Sequence, residues 1–444
     1  MKPTSFLIHK KVFLLFTVLV CTTTQLSAHN AKNCHLVPTY NSPFARTMIT
    51  ADSTKNKHIT ADSTVTHYTK TNNKANYAIT DSLSFDSTKT KKFGLVGKII
   101  NYFRDSNKQK PSKKIDFGFI PGPNYSSTTG FGLGLLGTAT YSTDRTDPTL
   151  PRSNASIYSN LTTGGFFMVG LRGNHIFPHE RYQIDYKLNL STFSTSYWGI
   201  GYANADNDDN QTDYRRNRIY AMVRFMTQIA PNTYIGPLLN YRVTQARSID
   251  PAYAHLWQGQ ALTARAYTAG LSFTYDSRDF MLNASKGLFV QIDQTFTPRF
   301  LGNGNNNFSS TEATFATYQR LWKGAILATE LHGQFNYGHT PWAFLTEVGS
   351  NDRMRGYYAG RYTDQNIIEG QIELRQHIKG RNGIVGWVAL ANAFANFNNI
   401  AWRRTLPNAG LGYRWEFKKR INIRVDYGFT RKGGGFIFNI NEAF

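Results

Sequence analysis

The chain has 444 residues and a formal net charge of +22, and 14% of its residues are aromatic. This aromatic content with 36 glycines is typical of a membrane β-barrel, and after the N-terminus no apolar run approaches the roughly 20 residues of a membrane-spanning helix. The lysines and arginines are spread along the chain without zinc-ligand spacing or a recognition-helix pattern. We therefore expect no nucleic acid partner, because a basic barrel wall or contact with anionic lipid head groups explains the charge better.

Residues 1–28 predict a secretory signal peptide. Lys2, Lys10 and Lys11 supply its basic region, a short apolar run follows, and Leu-Ser-Ala at 26–28 provides a cleavage site. Cleavage would remove one of the two cysteines of the chain, so neither a disulfide framework nor a cysteine metal site is expected.

Residues 29–112 are rich in Thr, Ser, Asn and Lys and contain few large apolar side chains. Because such a composition cannot bury a hydrophobic core, it predicts a disordered periplasmic linker. The segment 93–104 within it is amphipathic. It predicts either a short helix at the barrel mouth or the inner membrane surface, or a transiently ordered part of the linker.

From residue 113 to the end, apolar and polar side chains alternate with a period of two, which predicts an all-β domain. Sixteen segments follow this pattern, and most are long enough for a tilted strand to cross a bilayer. An even number of strands fits a single-chain bacterial barrel with both ends of the chain in the periplasm. The predicted strands are 115–120, 130–142, 155–163, 165–177, 181–193, 213–228, 233–247, 264–276, 286–298, 311–322, 325–337, 365–378, 385–396, 408–417, 421–430 and 435–444.

The predicted connections alternate in length, as they do in barrels with short turns at one end and long loops at the other. Tight turns such as 323–324 and 418–420 contrast with the long loops 194–212 and 338–364. The long gap 143–154 on the short-turn side is one of several exceptions. The pattern predicts a 16-stranded antiparallel transmembrane β-barrel preceded by a disordered N-terminal linker.

The predicted last strand has one apolar face and one polar face. Its apolar face consists of Phe436, Phe438, Ile440 and Phe444. Such a strand would pair with the first strand and close a barrel, although a half-buried edge strand of a soluble β-sandwich has the same pattern. The terminal aromatic residue also resembles the sorting signal of bacterial outer-membrane proteins.

The longest predicted loop carries Arg355, Gly356 and Tyr357 after a glycine-rich lead, and the strand behind it carries Glu373 and Arg375. This arrangement resembles the BamA/TamA family of outer-membrane assembly proteins, whose barrel is also called the bacterial surface antigen domain. The resemblance covers essentially the whole predicted barrel. Further stretches that match the opening, one turn and the closing strands of the family pattern are 120–125, 275–279, 410–415 and 424–428.

The resemblance implies a sixteen-stranded barrel whose sixth outer loop folds into the lumen with Arg355 at its buried tip. A guanidinium inside a barrel needs carboxylates, and strand alternation points Glu373 and Asp426 inward as candidate partners. Asn396 stands where the family often has an aspartate, so the loop contact should be weaker or should depend more on Glu373. Family members that assemble other barrels usually carry POTRA domains, and 29–112 lacks that pattern, so the chain resembles a POTRA-less member.

The family's role implies that this protein assists the insertion, assembly or translocation of outer-membrane proteins in a Gram-negative bacterium. Implied partners are outer-membrane lipids, and unfolded outer-membrane proteins or accessory periplasmic proteins and lipoproteins. The short first strand 115–120 runs into Pro121 and Pro123, which lack ladder N–H donors, so its seam with the last strand is predicted to be weak and to open sideways. The alternative is a passive outer-membrane pore or a structural barrel without assembly activity.

No catalytic or metal-binding pattern stands out in the sequence. Residues 132–137 match the dinucleotide motif G-x-G-x-x-G, but they lie within a predicted strand and do not open a helix. Residues 206–210 begin like a calcium-binding loop, but Gln211 and Asn217 occupy the positions that need glycine and glutamate. There is no serine elbow, Cys–His pairing or HExxH motif, so we expect no enzyme, no cofactor and no metal.

Overall fold

Sixteen strands form one closed antiparallel barrel. The structure is a computed structural model. The predicted signal peptide 1–28 and the predicted linker 29–112, with its amphipathic segment 93–104, lie outside the residues that it describes. The described residues are 115–126, 129–147 and 150–444.

Barrel strands that follow each other in the chain pair antiparallel, and the last strand pairs with the first to close the sheet. Two further strands, β12 and β13, form a small ladder inside the longest loop. The strands are β1 Ile115–Ser126, β2 Gly130–Tyr141, β3 Ser153–Thr162, β4 Phe167–Ile176, β5 Tyr182–Tyr197, β6 Thr212–Ala230, β7 Thr233–Arg247, β8 Thr263–Asp276, β9 Gly287–Thr297, β10 Asn307–Arg320, β11 Ala325–His339, β12 Thr346–Glu347, β13 Thr363–Asp364, β14 Asn366–Lys379, β15 Asn382–Phe394, β16 Leu406–Lys418, β17 Ile421–Thr430 and β18 Gly433–Ile440.

All sixteen predicted barrel strands are present, which confirms the predicted fold class. The first one differs most, because β1 continues through Pro121 and Pro123 to Ser126 and pairs with β2 over its whole length. The prediction of a short first strand was therefore wrong. Proline fits an edge strand when its nitrogen faces away from the ladder, and β1 has a ladder on only one side for most of its length.

The barrel has a polar interior and an apolar exterior. On β14, Glu369 and Glu373 point inward and are buried, whereas Ile372 and Ile378 point outward and are about half exposed to the surroundings of the barrel. A lipid-facing surface needs this arrangement, because water reaches only the lumen.

Long loops lie at one end of the barrel and mostly short turns at the other, and we call these the long-loop end and the short-turn end. The loops at the long-loop end include β5–β6, β7–β8, β11–β14 and β15–β16. Within the described ranges, no helix has the length and apolar character to cross a bilayer. One α-helix, Tyr202–Asp206, lies in the β5–β6 loop, and the 3-10 helices are Pro178–Glu180, Asp208–Asn210, Pro251–Trp257, Arg299–Leu301, Trp342–Phe344, Phe397–Asn399 and Trp402–Arg404.

At the long-loop end, an aromatic cluster packs between the loops and the ends of β5 and β6, and we call it the aromatic cap. Tyr197 and Tyr214 come from these two strands, and Trp257, Trp342 and Phe344 come from loops. All five are buried, and the ring centroids of Tyr197 and Trp257 are 4.7 Å apart. Burial of these rings fixes the β7–β8 and β11–β14 loops against the barrel wall.

Candidate functional site

The loop between β11 and β14, residues 340–365, places Arg355 against the inner wall of the barrel. The side chain of Arg355 is fully buried. Its Nη2 donates to Glu373 Oε2 at 2.5 Å, and its Nη1 donates to Asp426 Oδ2 at 2.9 Å. The guanidinium also lies 3.6 Å from the ring centroid of Trp387. One side chain of the loop thus contacts β14, β15 and β17.

The two carboxylates that meet Arg355 belong to a larger buried ion-pair network. Glu373 also accepts from Arg375 Nε at 2.7 Å, and Asp426 also accepts from Arg414 Nη1 at 2.5 Å. The network extends to Glu442, which accepts from Arg414 Nε at 2.7 Å. Arg424 joins them, 3.7 Å from Asp426 and 3.0 Å from Asp352. Four guanidinium groups therefore face four carboxylates, and this balance allows charges to remain buried.

The main chain at the loop tip packs directly on β17, at a position that has no side chain. A Cβ atom added to Gly428 would overlap the carbonyl group of Arg355. Gly356 has φ of 99°, a conformation that side chains disfavour, and a Cβ there would clash with the carbonyl of Gly428. Asn408 Nδ2 donates to the carbonyl oxygen of Arg355 at 2.7 Å. Glycine is required on both sides of this contact.

Tyr357 attaches the same loop to β16. It is buried, and its hydroxyl donates to the carbonyl oxygen of Pro407 at 2.8 Å. Its ring packs edge-on against Tyr362, with centroids 5.9 Å apart, within an apolar cluster that includes Val348 and Leu406. Each residue of the Arg-Gly-Tyr triplet therefore makes a different kind of contact.

Of the candidate partners of Arg355 from the sequence, the structure brings together Glu373 and Asp426. Asn396 is exposed in the β15–β16 loop, where it precedes a 3-10 helix, and it is not among the partners of Arg355 in the described part of the chain. Trp387 and Asn408 were missed. Both lie on inward-facing positions of β15 and β16, so alternation could have marked them as luminal but not as contacts of the loop.

The C-terminal residues divide between the two surfaces of the barrel. Three of the four predicted apolar residues, Phe436, Phe438 and Ile440, lie on the outward face of β18. Phe444 does not share that face, because Asn441 adopts φ of 75° and turns the chain inward after the strand ends. There the Phe444 ring packs against Tyr318, and its main-chain oxygen accepts from Arg375 Nη2 at 2.8 Å. The prediction of one continuous strand to residue 444 was wrong.

A family model for the Omp85 superfamily domain matches residues 154–444, well over half of the chain. The chain belongs to the Omp85 superfamily. The resemblance inferred from the Arg-Gly-Tyr loop is therefore confirmed at the level of the superfamily. The described part of this Omp85 protein contains a barrel and no POTRA unit.

Solved structures with the same fold include other Omp85-type barrels. BamA from Haemophilus ducreyi, in a form lacking POTRA domains 1–3, matches with a TM-score of 0.51 and 12% identity over 74% of this chain and 70% of that one. CdiB from Acinetobacter baumannii matches with a TM-score of 0.50 and 14% identity over 74% of this chain and 60% of that one. CdiB from Escherichia coli matches with a TM-score of 0.50 and 12% identity, over 75% and 64%. The chain thus spans less than two thirds of either CdiB. A search of curated proteins finds no match.

The Omp85 barrel closes with a very short ladder. Two residue pairs join β1 to β18, Tyr125 with Phe438 and Ser126 with Ile437, at the last two residues of β1 and in the second half of β18. By contrast, all 12 residues of β1 pair with β2. We call the β1–β18 junction the seam. It has few ladder bonds because β18 is short and turns inward after Ile440.

Exposed ion pairs at the long-loop end of this Omp85 barrel connect three separate segments. Asp208, in the β5–β6 loop, is paired with Arg361 of the β11–β14 loop and with Lys432 of the β17–β18 turn, the latter at 3.4 Å. Arg431 in the same turn donates to the Tyr202 hydroxyl at 2.7 Å. The turn that starts β18 is thereby attached to the β5–β6 loop, and its Arg431 N–H also donates to the Tyr357 hydroxyl of the β11–β14 loop at 3.4 Å.

This attachment should weaken in acid. The hydrogen bond and the charge of Arg361 hold the pKa of Asp208 below its ordinary value of 3.8. A carboxyl group with a lowered pKa stabilises the paired state above its ordinary pKa, and that contribution is lost as the pH falls through the lowered value. We expect the tryptophan fluorescence of the native chain and of Asp208→Asn to differ at about pH 7 and to converge near about pH 2. Identical spectra at neutral pH would show that the pairing does not hold the loops.

In the described part of this Omp85 chain, no group of three or more His, Cys, Asp or Glu side chains is arranged to hold a metal ion. The buried charges near Arg355 are already paired with each other. The site therefore consists of a loop that docks on the inner wall and a sheet that two residue pairs close.

Proposed function

We propose that this Omp85 protein assists the insertion of other β-barrel proteins into the outer membrane of a Gram-negative bacterium, by opening sideways at the seam. The observation that carries the proposal is the two-pair ladder between β1 and β18, in a barrel whose other ladders are much longer. Breaking a short ladder costs few hydrogen bonds, so this junction is the weakest one in the sheet. An opened strand edge then offers its main-chain groups to an incoming strand.

The two prolines of β1 support an edge of this kind. The strand keeps its register with β2 through Pro121 and Pro123, so their nitrogens face the seam and offer no N–H group there. The carbonyl oxygens of the same residues remain available as acceptors. An incoming strand would therefore supply donors to β1, and a permanent full ladder with β18 is disfavoured.

Unfolded outer-membrane proteins are the proposed partners, within a bilayer whose lipids contact the apolar outer surface. The two CdiB structures and the BamA structure share the fold of this chain, and the superfamily assignment supports a role with polypeptide clients over catalysis. Accessory periplasmic proteins or lipoproteins would deliver the client, since the described part of the chain contains the barrel alone. Neither nucleic acid nor a cofactor has a role in this proposal.

Locking the seam should abolish the activity. In a Cys34→Ser background, the variant Tyr125→Cys with Phe438→Cys places two cysteines on paired positions across the seam. We expect oxidation to slow the folding of a client barrel into liposomes that contain this protein by at least about tenfold, and reduction to restore the rate. The measurement is the fraction of the client that has folded at each time, read from the shift in its electrophoretic mobility between unheated and heated samples.

The matched control places cysteines at Tyr427 and Phe436, which are paired positions between β17 and β18. This junction stays closed in the proposed mechanism, so its disulfide should leave the rate unchanged. If the seam disulfide formed fully and client folding remained as fast, the passive pore or structural barrel would be the better interpretation.

A further inference from the structure

Four basic side chains lie on the inner wall formed by β4 to β7, away from the Arg355 network, and we call them the luminal basic patch. They are Arg172, Lys187, Arg218 and Arg242. Strand alternation points all four into the lumen, on the same face as the buried residues of their strands. Three of them are exposed and Arg242 is half-buried, so luminal water reaches the patch.

The patch differs from the other inward-facing arginines in having no described carboxylate within ion-pair distance, and Glu312 and Glu347 act on its charges only from farther away. On the same strands, Arg216 pairs with Glu347 at 2.6 Å, and Arg224 pairs with Asp293 at 3.0 Å. Among the described residues, no carboxylate lies within ion-pair distance of the four basic groups of the patch. Glu312 of β10 also faces the lumen, and its carboxylate bonds to His332 at 3.3 Å. The luminal arginines that have a structural role, such as Arg216 and Arg224, are thus each paired with a carboxylate.

The sheet register brings these like charges together. Arg172 and Lys187 are directly opposite each other on β4 and β5, and Arg242 on β7 is opposite Tyr220 on β6. Arg218 lies two residues from Tyr220 on the same face of β6. Like charges at opposed positions destabilise a sheet unless something neutralises them. The opposed Arg172 and Lys187, with no described carboxylate in ion-pair contact, therefore form an unfavourable arrangement that a bound anion would relieve.

Aromatic rings hold the basic groups in position. The Arg172 guanidinium lies 5.4 Å from the ring centroid of Tyr158, and Lys187 Nζ lies 5.6 Å from that of Tyr220. Arg242 lies 4.7 Å from the ring of Phe344 in the aromatic cap, and its Nε is buried without a hydrogen-bond partner. Contacts with ring faces leave the N–H groups free to donate to a ligand.

We propose that the luminal basic patch binds a ligand that carries two or more phosphate groups. Arginine and lysine are the usual phosphate-binding side chains, and guanidinium groups bind phosphate oxygens in pairs. The patch extends across four adjacent strands, about 14 Å, which exceeds the reach of one phosphate. The linker of this chain is an unsuitable occupant, because residues 29–112 contain 13 Lys and Arg against 5 Asp and Glu. The site is separate from the seam and does not depend on the proposed insertion activity.

Binding can be tested with inorganic pyrophosphate, titrated calorimetrically into the full chain folded in zwitterionic detergent. We expect saturable binding that weakens at least about tenfold when all four charges of the patch are removed. The matched control removes four exposed basic side chains outside the lumen and should bind like the native chain. The patch variant is R172Q/K187Q/R218Q/R242Q, and the control variant is R181Q/R215Q/R247Q/R265Q.

The temperature of thermal unfolding, measured with and without pyrophosphate, provides a second and independent test of binding. Without pyrophosphate, the patch variant should unfold at the same or a higher temperature than the native chain, because repulsion has been removed. With pyrophosphate, the native and control chains should gain stability and the patch variant should not. If the fourfold variant fails to fold, R172Q/K187Q and R218Q/R242Q serve as half-patch variants in the same assays.

Absence of binding to the native chain, or equal binding to native chain and patch variant, would overturn the proposal. Two sources can supply the phosphate groups, a lipid head group or a soluble compound. Displacement of pyrophosphate by dihexanoyl-phosphatidylinositol 4-phosphate, which carries two phosphate groups, but not by dihexanoyl-phosphatidylcholine, both used below their micelle concentrations, would support the site and assign it to lipid. Displacement by neither lipid, with binding lost in the patch variant, would support the site and assign it to a soluble phosphorylated ligand.

Discussion

Replacing Arg355 with alanine is expected to lower the free energy of unfolding by about 3–5 kcal/mol and to release the β11–β14 loop from the barrel wall. The side chains of Arg355, Glu373 and Asp426 are all completely buried. Removing the guanidinium leaves two carboxylates with an excess of one negative charge in the buried network. The loop tip also loses its contact with the Trp387 ring. This is the largest single effect we expect.

Urea unfolding of the native and variant chains in detergent micelles measures the loss. Arg353→Ala is the matched control, because this arginine lies two residues earlier and pairs with Glu330 at 2.8 Å while remaining partly exposed, so its removal should cost less. Arg355→Lys keeps the charge but cannot bond both carboxylates in the same way, and should be intermediate. A cost for Arg355→Ala no greater than for Arg353→Ala would contradict a structural role of the buried pairs.

Gly428→Val is expected to expel the loop tip while leaving every charge in place. A Cβ at position 428 would lie 2.6 Å from the carbonyl carbon of Arg355 and 3.2 Å from the nitrogen of Gly356. Valine suits a strand, so β17 itself should tolerate the change. Overpacking of this kind costs about 1–3 kcal/mol, and displacement of Arg355 would add the loss of its ion pairs. Loop displacement is the predicted outcome because β17 is held by ladders with both β16 and β18, whereas the loop tip is held by side-chain contacts.

Limited trypsin digestion reports the expulsion directly. We expect cleavage after Arg355 in Gly428→Val under conditions in which the native loop is resistant, together with a larger conductance through the lumen in planar bilayers. Gly386→Val on β15 is the control, since a Cβ there meets only Leu411 at an ordinary 3.6 Å. Resistance of the Gly428→Val loop to trypsin would mean that the tip can shift and stay docked. Close contact with the loop tip would then no longer explain why position 428 is glycine.

The sequence predicted the strands well because strand formation depends on local alternation. Successive side chains of a strand point to opposite faces, so an alternating sequence gives one polar and one apolar face. This holds for any pairing partner of the strand. The same rule placed Glu373 and Asp426 on the luminal side without knowledge of any contact. It failed at Pro121 and Pro123, where the effect of proline depends on which edge of the strand is paired.

Strand alternation and the sequence motif predicted only some of the contacts that the loop makes. The Arg-Gly-Tyr triplet marked Arg355, but Trp387 and Asn408 became its neighbours only through the path of the loop inside the closed barrel. Asn396 was chosen by its place in a family pattern and lies in an exposed loop. Which inward residues meet depends on strand stagger and barrel size, and these are properties of the whole sheet.

By itself, the sequence determined a sixteen-stranded barrel with a polar lumen, an apolar outside and one long arginine-bearing loop, because each follows from residue order within a few positions. Only the tertiary structure decided that two residue pairs close the seam, that Phe444 turns inward, and that Arg172, Lys187, Arg218 and Arg242 lie near each other without a carboxylate in ion-pair contact among the described residues. These depend on closure, which brings distant parts of the chain into register and fixes which charges are neutralised.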